Sequence, residues 1–386
     1  MKKKLKVIVP VAAVLIIAIA LSTVFAVRLY KELASPVDFD EIAVPASGAG
    51  TGYYRHCYTE LNDNEKKIYA VILQSIYEMP KRIEIPALQE GDDLNRIFEA
   101  VSYDNPDLFC LGLFSSVYNE GQKTYFEPEY CMTREDYQTF LADVKTVADG
   151  IITAAQGMTS DYEKELFVHD AIVNSCSYVA PEAYQYANGI YGCLAAKTAS
   201  CEGYSRAFQY IMTQLNIDTR IVTGEAADDG INYIGHMWNY VVIGGSGYYV
   251  DLTWDDPEVS GEMLRHAYFN VNSEDILLRH RNIQQNLVST DRKYNYYIFE
   301  GAFLGQGSGD RFRSVVETAA LKARNRGYTC TELRFSDANA MERAKHTLFK
   351  DGVIYDVYKE LGLISDGSAS VRYSTDESLL TICLFF

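Results

Sequence analysis

Apolar residues recur every three or four positions in three segments between residues 63 and 151, and this spacing predicts amphipathic helices. The first helix has Asp63 as its predicted N-cap and ends before Pro80, and the third is capped by Thr133. Between the second and third, residues 108–132 are rich in aromatic residues and are predicted to form a hairpin. The apolar stripes are Ile68, Ile72, Ile76 and Met79; Leu94, Ile97, Phe98 and Val101; and Tyr137, Leu141, Val144, Ala148 and Ile151.

Between residues 156 and 300 helices alternate with strands. A helix predicted over 161–176 carries His169 among apolar residues, and we interpret this histidine as part of the core. A second helix is predicted to begin at Cys201, because an apolar stripe follows it at helical spacing. Two strands, 236–243 and 246–254, flank Gly244-Gly245, which is a signal for a two-residue hairpin turn. The stripe on the second helix is Tyr204, Phe208, Ile211, Met212 and Leu215.

Residues 301–386 predict a small α/β module for packing or recognition. Residues 329–335 alternate as a strand, Asp337 caps a following helix, and residues 371–373 pair with 379–386 as a hairpin. The whole chain is therefore divided into five parts: a membrane or signal segment (1–28), a flexible linker (29–52), a mainly helical region (53–155), a catalytic domain (156–300) and this module (301–386).

The first 28 residues have the pattern of a membrane anchor. Four lysines precede an apolar run over residues 7–27, about the length that spans the hydrocarbon core of a bilayer as a helix. Because the lysines come before the run, the residues after it are expected outside the cytoplasm. A cleaved signal peptide ending near Ala26 is the alternative, and it would make the protein secreted.

The charge of the chain argues against nucleic-acid binding. The formal net charge is −17, and the part that follows the basic N-terminal segment is more acidic still. Such a surface repels phosphate backbones.

The eight cysteines contain no CxxC pair, which excludes zinc-ribbon and thioredoxin-like sites. Most stand among apolar neighbours and are interpreted as buried free thiols, although disulfides remain an alternative in an exported protein. Asp255 and Asp256 have no second pair of ligands at a suitable spacing, so neither a metal nor a cofactor is predicted.

Cys201, His236 and Asp251 are the strongest candidates for catalysis. The N-terminal end of a helix favours a thiolate at Cys201, and the Cys201 amide can donate to an oxyanion. Under the predicted turn, Trp238 faces Asp251 and His236 is the diagonal neighbour of Asp251, so the carboxylate can orient the imidazole. Gly203 is expected to keep the approach to the thiol open, and Trp238 to shield the His–Asp pair from water.

The strings around these residues resemble the transglutaminase-like superfamily. They are Ala199-Ser200-Cys201-Glu202-Gly203-Tyr204, Gly235-His236-Met237-Trp238-Asn239, and Val250-Asp251-Leu252-Thr253-Trp254-Asp255-Asp256-Pro257. The resemblance implies an α+β, papain-like fold with a helix bearing the cysteine packed on an antiparallel sheet bearing the histidine and aspartate. It implies Cys201 as nucleophile, His236 as general base and acid, and Asp251 as orienting residue, supported by Gly203, Tyr204, Trp238, Asn239 and Trp254.

Three hypotheses about function remain open. The first is a cell-surface enzyme that transfers acyl groups from protein or peptide amides, including cell-wall peptides, with hydrolysis slightly favoured over cross-linking. The second is a surface module with an inactive triad that binds proteins or the cell wall. The third is a structural thiol that lies beside His236 and Asp251 by chance.

Overall fold

The computed structural model describes residues 39–43, 45–227, 229–256, 264–305, 311–365 and 370–386. The predicted membrane segment lies outside these residues, as do residues 29–38 and 44 of the predicted linker. Within the described ranges, none of the helices combines the length and the hydropathy needed to cross a bilayer.

Residues 53–130 form a small α/β unit with its own apolar core. Helix α2 begins with a capping box, in which Asn62 and Glu65 each bind the other's backbone amide, one residue before the predicted cap at Asp63. The predicted hairpin is present, and the unpredicted strand β1 makes it a three-stranded antiparallel sheet of order β1-β3-β2. The elements are α1 (His56–Glu60), α2 (Asp63–Ile76), β1 (Ile83–Ile85), α3 (Leu94–Asp104), β2 (Leu111–Glu120) and β3 (Lys123–Tyr130).

The predicted third helix, α4 (Arg134–Gln156), is confirmed together with its Thr133 cap. Its buried residues, including Tyr137, Val144 and Ala148, pack into the core of the following block and not into that of the N-terminal unit. Helix α4 therefore forms part of the scaffold that supports the candidate site.

In residues 161–299, helix α7 packs against one face of an antiparallel sheet of order β8-β7-β6-β9. All the apolar positions predicted on α7 are buried. A short parallel pair, β4 with β5, lies just before α7. The elements are α5 (Asp161–Val173), β4 (Ser177–Tyr178), α6 (Ile190–Leu194), β5 (Thr198–Ala199), α7 (Cys201–Gln214), β6 (Thr219–Ala226), β7 (Ile234–Ile243), β8 (Ser246–Val250), α8 (Leu252–Asp255), α9 (Ser273–Ile276), β9 (His280–Arg281) and α10 (Tyr296–Phe299).

The hairpin of β7 and β8 has the predicted register. Ile243 pairs with Ser246 and Tyr240 with Tyr249. Gly244 and Gly245 have φ angles of 60° and 84°, and two successive positive φ angles are typical of a type I′ turn. The predicted length of the second strand was wrong, because β8 ends at Val250 and the chain turns into α8. Asp251 consequently caps a helix and has no strand partner opposite Trp238.

The C-terminal module is a four-stranded sheet of order β10-β11-β13-β12 with helices packed on it. The predicted strand, the Asp337 cap and the final hairpin are confirmed. Its apolar residues, among them Leu333 and Phe335, belong to the same core as Phe208 of α7. The elements are β10 (Phe303–Leu304), α11 (Phe312–Asn325), β11 (Cys330–Phe335), α12 (Ala338–Lys345), a π-helical turn (His346–Lys350), α13 (Val353–Glu360), β12 (Tyr373–Asp376) and β13 (Thr381–Phe385).

Candidate active site

Cys201 is the first residue of helix α7 and is partly exposed. The preceding Ser200 does not cap the helix, because its hydroxyl bonds the side chain of Asn188 at 2.6 Å. The first backbone amides of α7 are therefore not occupied by the Ser200 side chain. Free amides at a helix N-terminus attract negative charge on a thiolate or on an oxyanion.

Gly203 has a different role from the one predicted. A Cβ at this position would lie 2.2 Å from the Ala187 carbonyl oxygen and 2.9 Å from the Ala199 Cβ. The residue is buried and its missing side chain allows α7 to pack tightly against the preceding loop. The close packing at Gly203 thus holds the start of α7, and with it Cys201, in position. Gly203 does not open a path for substrate.

His236, on β7, lies between the thiol and the carboxylate. Its Nε2 is 2.7 Å from Asp251 Oδ2, and the Cys201 side chain is near enough to contribute to the raised pKa of the His236 imidazole. Because Nε2 faces the carboxylate, Nδ1 is the nitrogen left for the sulfur. The structure therefore brings the three residues together in the order thiol, imidazole, carboxylate.

The ring of His236 is held by aromatic neighbours predicted from the sequence. Trp238 stacks on it with a centroid distance of 5.7 Å, and Trp254 lies at 5.8 Å. Trp238 is fully buried, which fits a shield for the His–Asp pair and a plain core residue equally well. Trp254 also donates its backbone N–H to Asp251 Oδ1 at 3.2 Å, so it contacts both members of the pair.

The other two predicted supporting residues act at a distance from the thiol. Asn239 is buried on the opposite side of β7, where it donates to the Ser205 carbonyl at 3.0 Å and ties the strand to α7. Tyr204 is buried and donates its hydroxyl to Asp256 Oδ2 at 2.5 Å. Both residues set the position of the helix relative to the segment that carries Asp251.

The electrostatics favour a charged histidine at rest. Burial alone would lower the pKa of His236, but the charge of Asp251 and the hydrogen bonds to Asp251 and Cys201 raise it to about 10. Burial would likewise raise the pKa of Asp251, but His236 and a second histidine, His280, hold it well below the ordinary value. An imidazolium beside Cys201 stabilises the thiolate form.

A second buried group of histidines and carboxylates was not predicted. His266 places Nδ1 2.6 Å from Glu332 and Nε2 3.0 Å from Asp170, while His169 lies 3.1 Å from Asp170 and 3.2 Å from Asp255. Glu332 comes from β11 of the C-terminal module and Asp255 from α8, four residues after Asp251. His169 is in the core as expected, but in a polar part of it. No local sequence motif marks this chain of contacts, because its five members come from four distant segments.

This chain of contacts makes His266 important for stability. Flanking carboxylates overcome the effect of burial and raise the pKa of His266 to about 10 from the ordinary 6.5. We expect His266→Asn to lower the free energy of unfolding by about 3–5 kcal/mol, because it leaves Asp170 and Glu332 buried without their cation. Chemical unfolding at pH 6 measures this, and the matched control is His346→Asn at an exposed position.

The same group predicts how stability depends on pH. A histidine whose pKa is higher in the folded state contributes fully below the unfolded value and loses that contribution as the pH rises through the folded value. The contribution of His266 should thus be present below pH 6.5 and disappear as the pH approaches about 10. If the parent and His266→Asn lost stability equally over this window, the imidazolium assignment would be wrong.

Two groups in the described part of the chain have the composition of a metal site, namely His169, Asp170 and His266, and His236, Asp251 and His280. In both, the imidazole nitrogens and carboxylate oxygens already contact one another at hydrogen-bonding distance. The side chains satisfy each other, and we assign no metal to them.

One cavity adjoins the triad. It has a volume of about 780 Å³ and is lined by His236 and Trp254 and by Thr375, Leu379 and Thr381 of the C-terminal module. A second cavity, of about 600 Å³, is lined by Glu202, which follows Cys201 in sequence, and by the aromatic side chains Phe98, Tyr103, Phe109 and Tyr186. A ligand in the first cavity can therefore contact both His236 and the C-terminal module.

Comparison with known proteins gives one family match. Residues 146–252 match the sequence model of the transglutaminase-like superfamily. No curated protein matches the chain.

Among solved structures, a TGase is 17% identical with a TM-score of 0.26, and the match covers 48% of this chain and 53% of that one. A candidate cysteine protease from Cytophaga hutchinsonii is 12% identical with a TM-score of 0.25, covering 37% and 62%. A candidate protease from Parabacteroides distasonis is 11% identical with a TM-score of 0.22, covering 35% of each chain. The chain thus spans less than two thirds of the length of each of these three structures.

The family match ends one residue after Asp251 and includes all three members of the triad. Residues 146–252 therefore form a domain of the transglutaminase-like superfamily.

Proposed function

We propose that this protein is a thiol-dependent acyl-transfer enzyme that acts on amide bonds of proteins or peptides. The observation that carries the proposal is the position of Cys201, which is partly exposed at the start of helix α7 and lies beside a His236 imidazole that is hydrogen-bonded to Asp251. Nothing else in the described chain combines a partly exposed thiol with a buried, charged imidazole–carboxylate pair.

The geometry supports the following steps. The Cys201 sulfur attacks the carbonyl carbon, and the uncapped amides of α7 stabilise the oxyanion. The C–N bond breaks as His236 gives its Nδ1 proton to the leaving amine, and a thioester forms. Water then attacks the thioester while His236 accepts its proton, and the C–S bond breaks to restore the thiolate. An amine in place of water would give a cross-link instead.

Hydrolysis is favoured over cross-linking in this proposal. The sequence shows neither a lysine tunnel nor calcium-binding loops. The cavity beside His236, which also reaches the C-terminal module, is large enough to hold part of a peptide and supports a peptide substrate.

We also propose that the enzyme works at the cell surface, held there by the apolar segment over residues 7–27. The four lysines before this segment support an orientation that exports the remainder of the chain. Cell-wall peptides and surface proteins are then the accessible substrates. Fractionation of cells that express the full chain, with protease added from outside, tests this location.

The state of the thiol can be measured without a known substrate. We expect Cys201 to react with iodoacetamide faster than Cys131 at pH 5.5–6, because it is partly exposed at the start of α7 and lies beside the charged imidazole of His236. Cys131 is an internal control: it is exposed, but burial of its sulfur raises its pKa and it should react only in alkaline solution. Mass spectrometry of the two peptides after brief labelling measures both rates. Equal labelling of the two thiols at pH 5.5 would contradict the proposed ion pair.

The reaction itself is tested with a glutamine-containing peptide, incubated with the protein residues that follow the apolar segment, with and without a primary amine. Loss of ammonia with uptake of water indicates an amidase, a new amide indicates a cross-linking enzyme, and a cut backbone indicates a protease. Retained peptide binding without any of these products would favour an inactive binding module.

A further inference from the structure

A second histidine binds the same oxygen of Asp251 as the triad histidine does. His280 Nε2 lies 2.9 Å from Asp251 Oδ2, and His236 Nε2 lies 2.7 Å from that atom. His280 is the first residue of the short strand β9, which pairs with β6 at the edge of the sheet. It lies beyond the residues that match the family model.

Aromatic side chains surround the His280 ring, as they do the ring of His236. It is buried, with ring centroids 4.7 Å from Trp238, 4.8 Å from Trp254 and 5.5 Å from Tyr268. Both tryptophans also contact His236, so one aromatic enclosure surrounds the two imidazoles. The second His280 nitrogen, Nδ1, lies 3.2 Å from the Ile276 carbonyl oxygen.

The two histidines differ in charge. Burial and the neighbouring positive charge of His236 lower the pKa of His280, although Asp251 acts in the opposite direction. A neutral imidazole has a single N–H, and both of its nitrogens here face an oxygen. The proton belongs on Nε2, because the contact with the carboxylate is shorter than that with the carbonyl and a charged acceptor binds more strongly.

Asp251 thus has three donors, namely His236, His280 and the Trp254 backbone N–H. A fully buried carboxylate stays ionised only if such donors replace water. With His280 on one side of Oδ2, the carboxylate is held in the orientation that His236 needs.

We propose that His280 is a positioning residue for the reaction: as a neutral donor to Asp251 it keeps the carboxylate ionised and aimed at His236. The inference rests on the proposed function, since a triad without chemistry would need no such support. His280 does not touch the thiol, and it acts through Asp251 alone.

The test uses two substitutions that each reproduce one nitrogen of the ring. In His280→Gln the amide nitrogen can take the place of Nε2 and still donate to Asp251. In His280→Asn the shorter amide can replace only Nδ1, so the donor to Asp251 is lost. His280→Ala removes both, and His346→Asn serves as the exposed control.

For turnover of the peptide identified above, we expect His280→Ala and His280→Asn to lower kcat about 10–100-fold with KM changed less than about twofold. His280→Gln should recover kcat to within about fivefold of the parent. A purely structural role predicts a different order, in which all three variants lose activity only in proportion to the fraction that has unfolded.

The labelling of Cys201 gives a second measurement. The charged or titratable groups that interact with Asp251 are His236 on β7, His280 on β9 and Tyr268. Loss of the His280 donor raises the pKa of Asp251, so the carboxylate takes up a proton at a higher pH. Below that pH the His236 imidazolium no longer has a negatively charged partner. The acid limit of rapid alkylation should therefore move to higher pH in His280→Ala and return in His280→Gln.

The outcomes separate the two proposals. If the parent neither turns over peptide nor labels selectively at Cys201, both fail. If the parent does either and all His280 variants match it in kcat and in the pH profile of labelling, the enzyme stands and the role of His280 is wrong.

Discussion

Replacement of Cys201 by alanine is expected to abolish turnover, with kcat falling by about 10³–10⁴-fold or more. The sulfur is the only group in the proposed reaction that forms a bond with the substrate, and no side chain within reach can take its place. Thermal stability should change little, because Cys201 lies at the partly exposed start of α7. Peptide binding should persist, since both cavities are lined by other residues.

The matched control for this variant is Cys131→Ala, which removes an exposed thiol outside the triad. It should leave kcat at the parent value, and a change in KM alone would reflect the place of Cys131 in the wall of the second cavity. Undiminished turnover by Cys201→Ala would show that the observed activity comes from another group or a contaminant. If Cys131→Ala also lost activity, the loss in Cys201→Ala would indicate damage to the fold and not the removal of a nucleophile.

Asp251→Asn is expected to lower kcat by about 10⁴-fold at nearly unchanged volume. The asparagine can donate from its amide, so the hydrogen bond at His236 Nε2 can form with the proton on the wrong nitrogen, and the imidazolium loses its counter-charge. We also expect a loss of unfolding free energy of about 3–5 kcal/mol, because a buried ionic contact is broken. Steady-state kinetics and chemical unfolding measure the two effects separately.

The control for Asp251→Asn is Asp143→Asn, which changes an exposed carboxylate on α4 that lines neither cavity. It should leave kcat and stability unchanged. The loss of kcat in Asp251→Asn should be larger than unfolding can explain. At 25 °C, under conditions in which more than nine-tenths of the variant is folded, kcat should still be lost. Recovery of full kcat under such conditions would reduce Asp251 to a structural residue.

Much of the site could be predicted because its parts are local in sequence. The register of β7 and β8 followed from the two glycines of their turn, and the position of Cys201 followed from the apolar stripe on α7. The end of β8 could not be predicted in this way. Asp251 caps α8 with its own carboxylate, and a four-residue helix has too little periodicity to be recognised.

The residues that were missed share a different property. His280, His266 and Glu332 have partners far away in the chain: His280 binds Asp251, and His266 joins Asp170 to Glu332. Which polar side chains meet inside a core depends on how the sheets and helices pack, and a single sequence does not contain that information. The role predicted for Gly203 was wrong for the same reason, because the group that leaves no room for a Cβ there is a carbonyl in another loop.

Strand β13 makes the last part of the sequence a component of the site. It lies inside its sheet between β11 and β12, and it supplies Thr381 and Cys383 to the wall of the cavity beside His236. A truncated protein that lacked β13 would therefore retain Cys201, His236 and Asp251 but would lose one wall of that cavity.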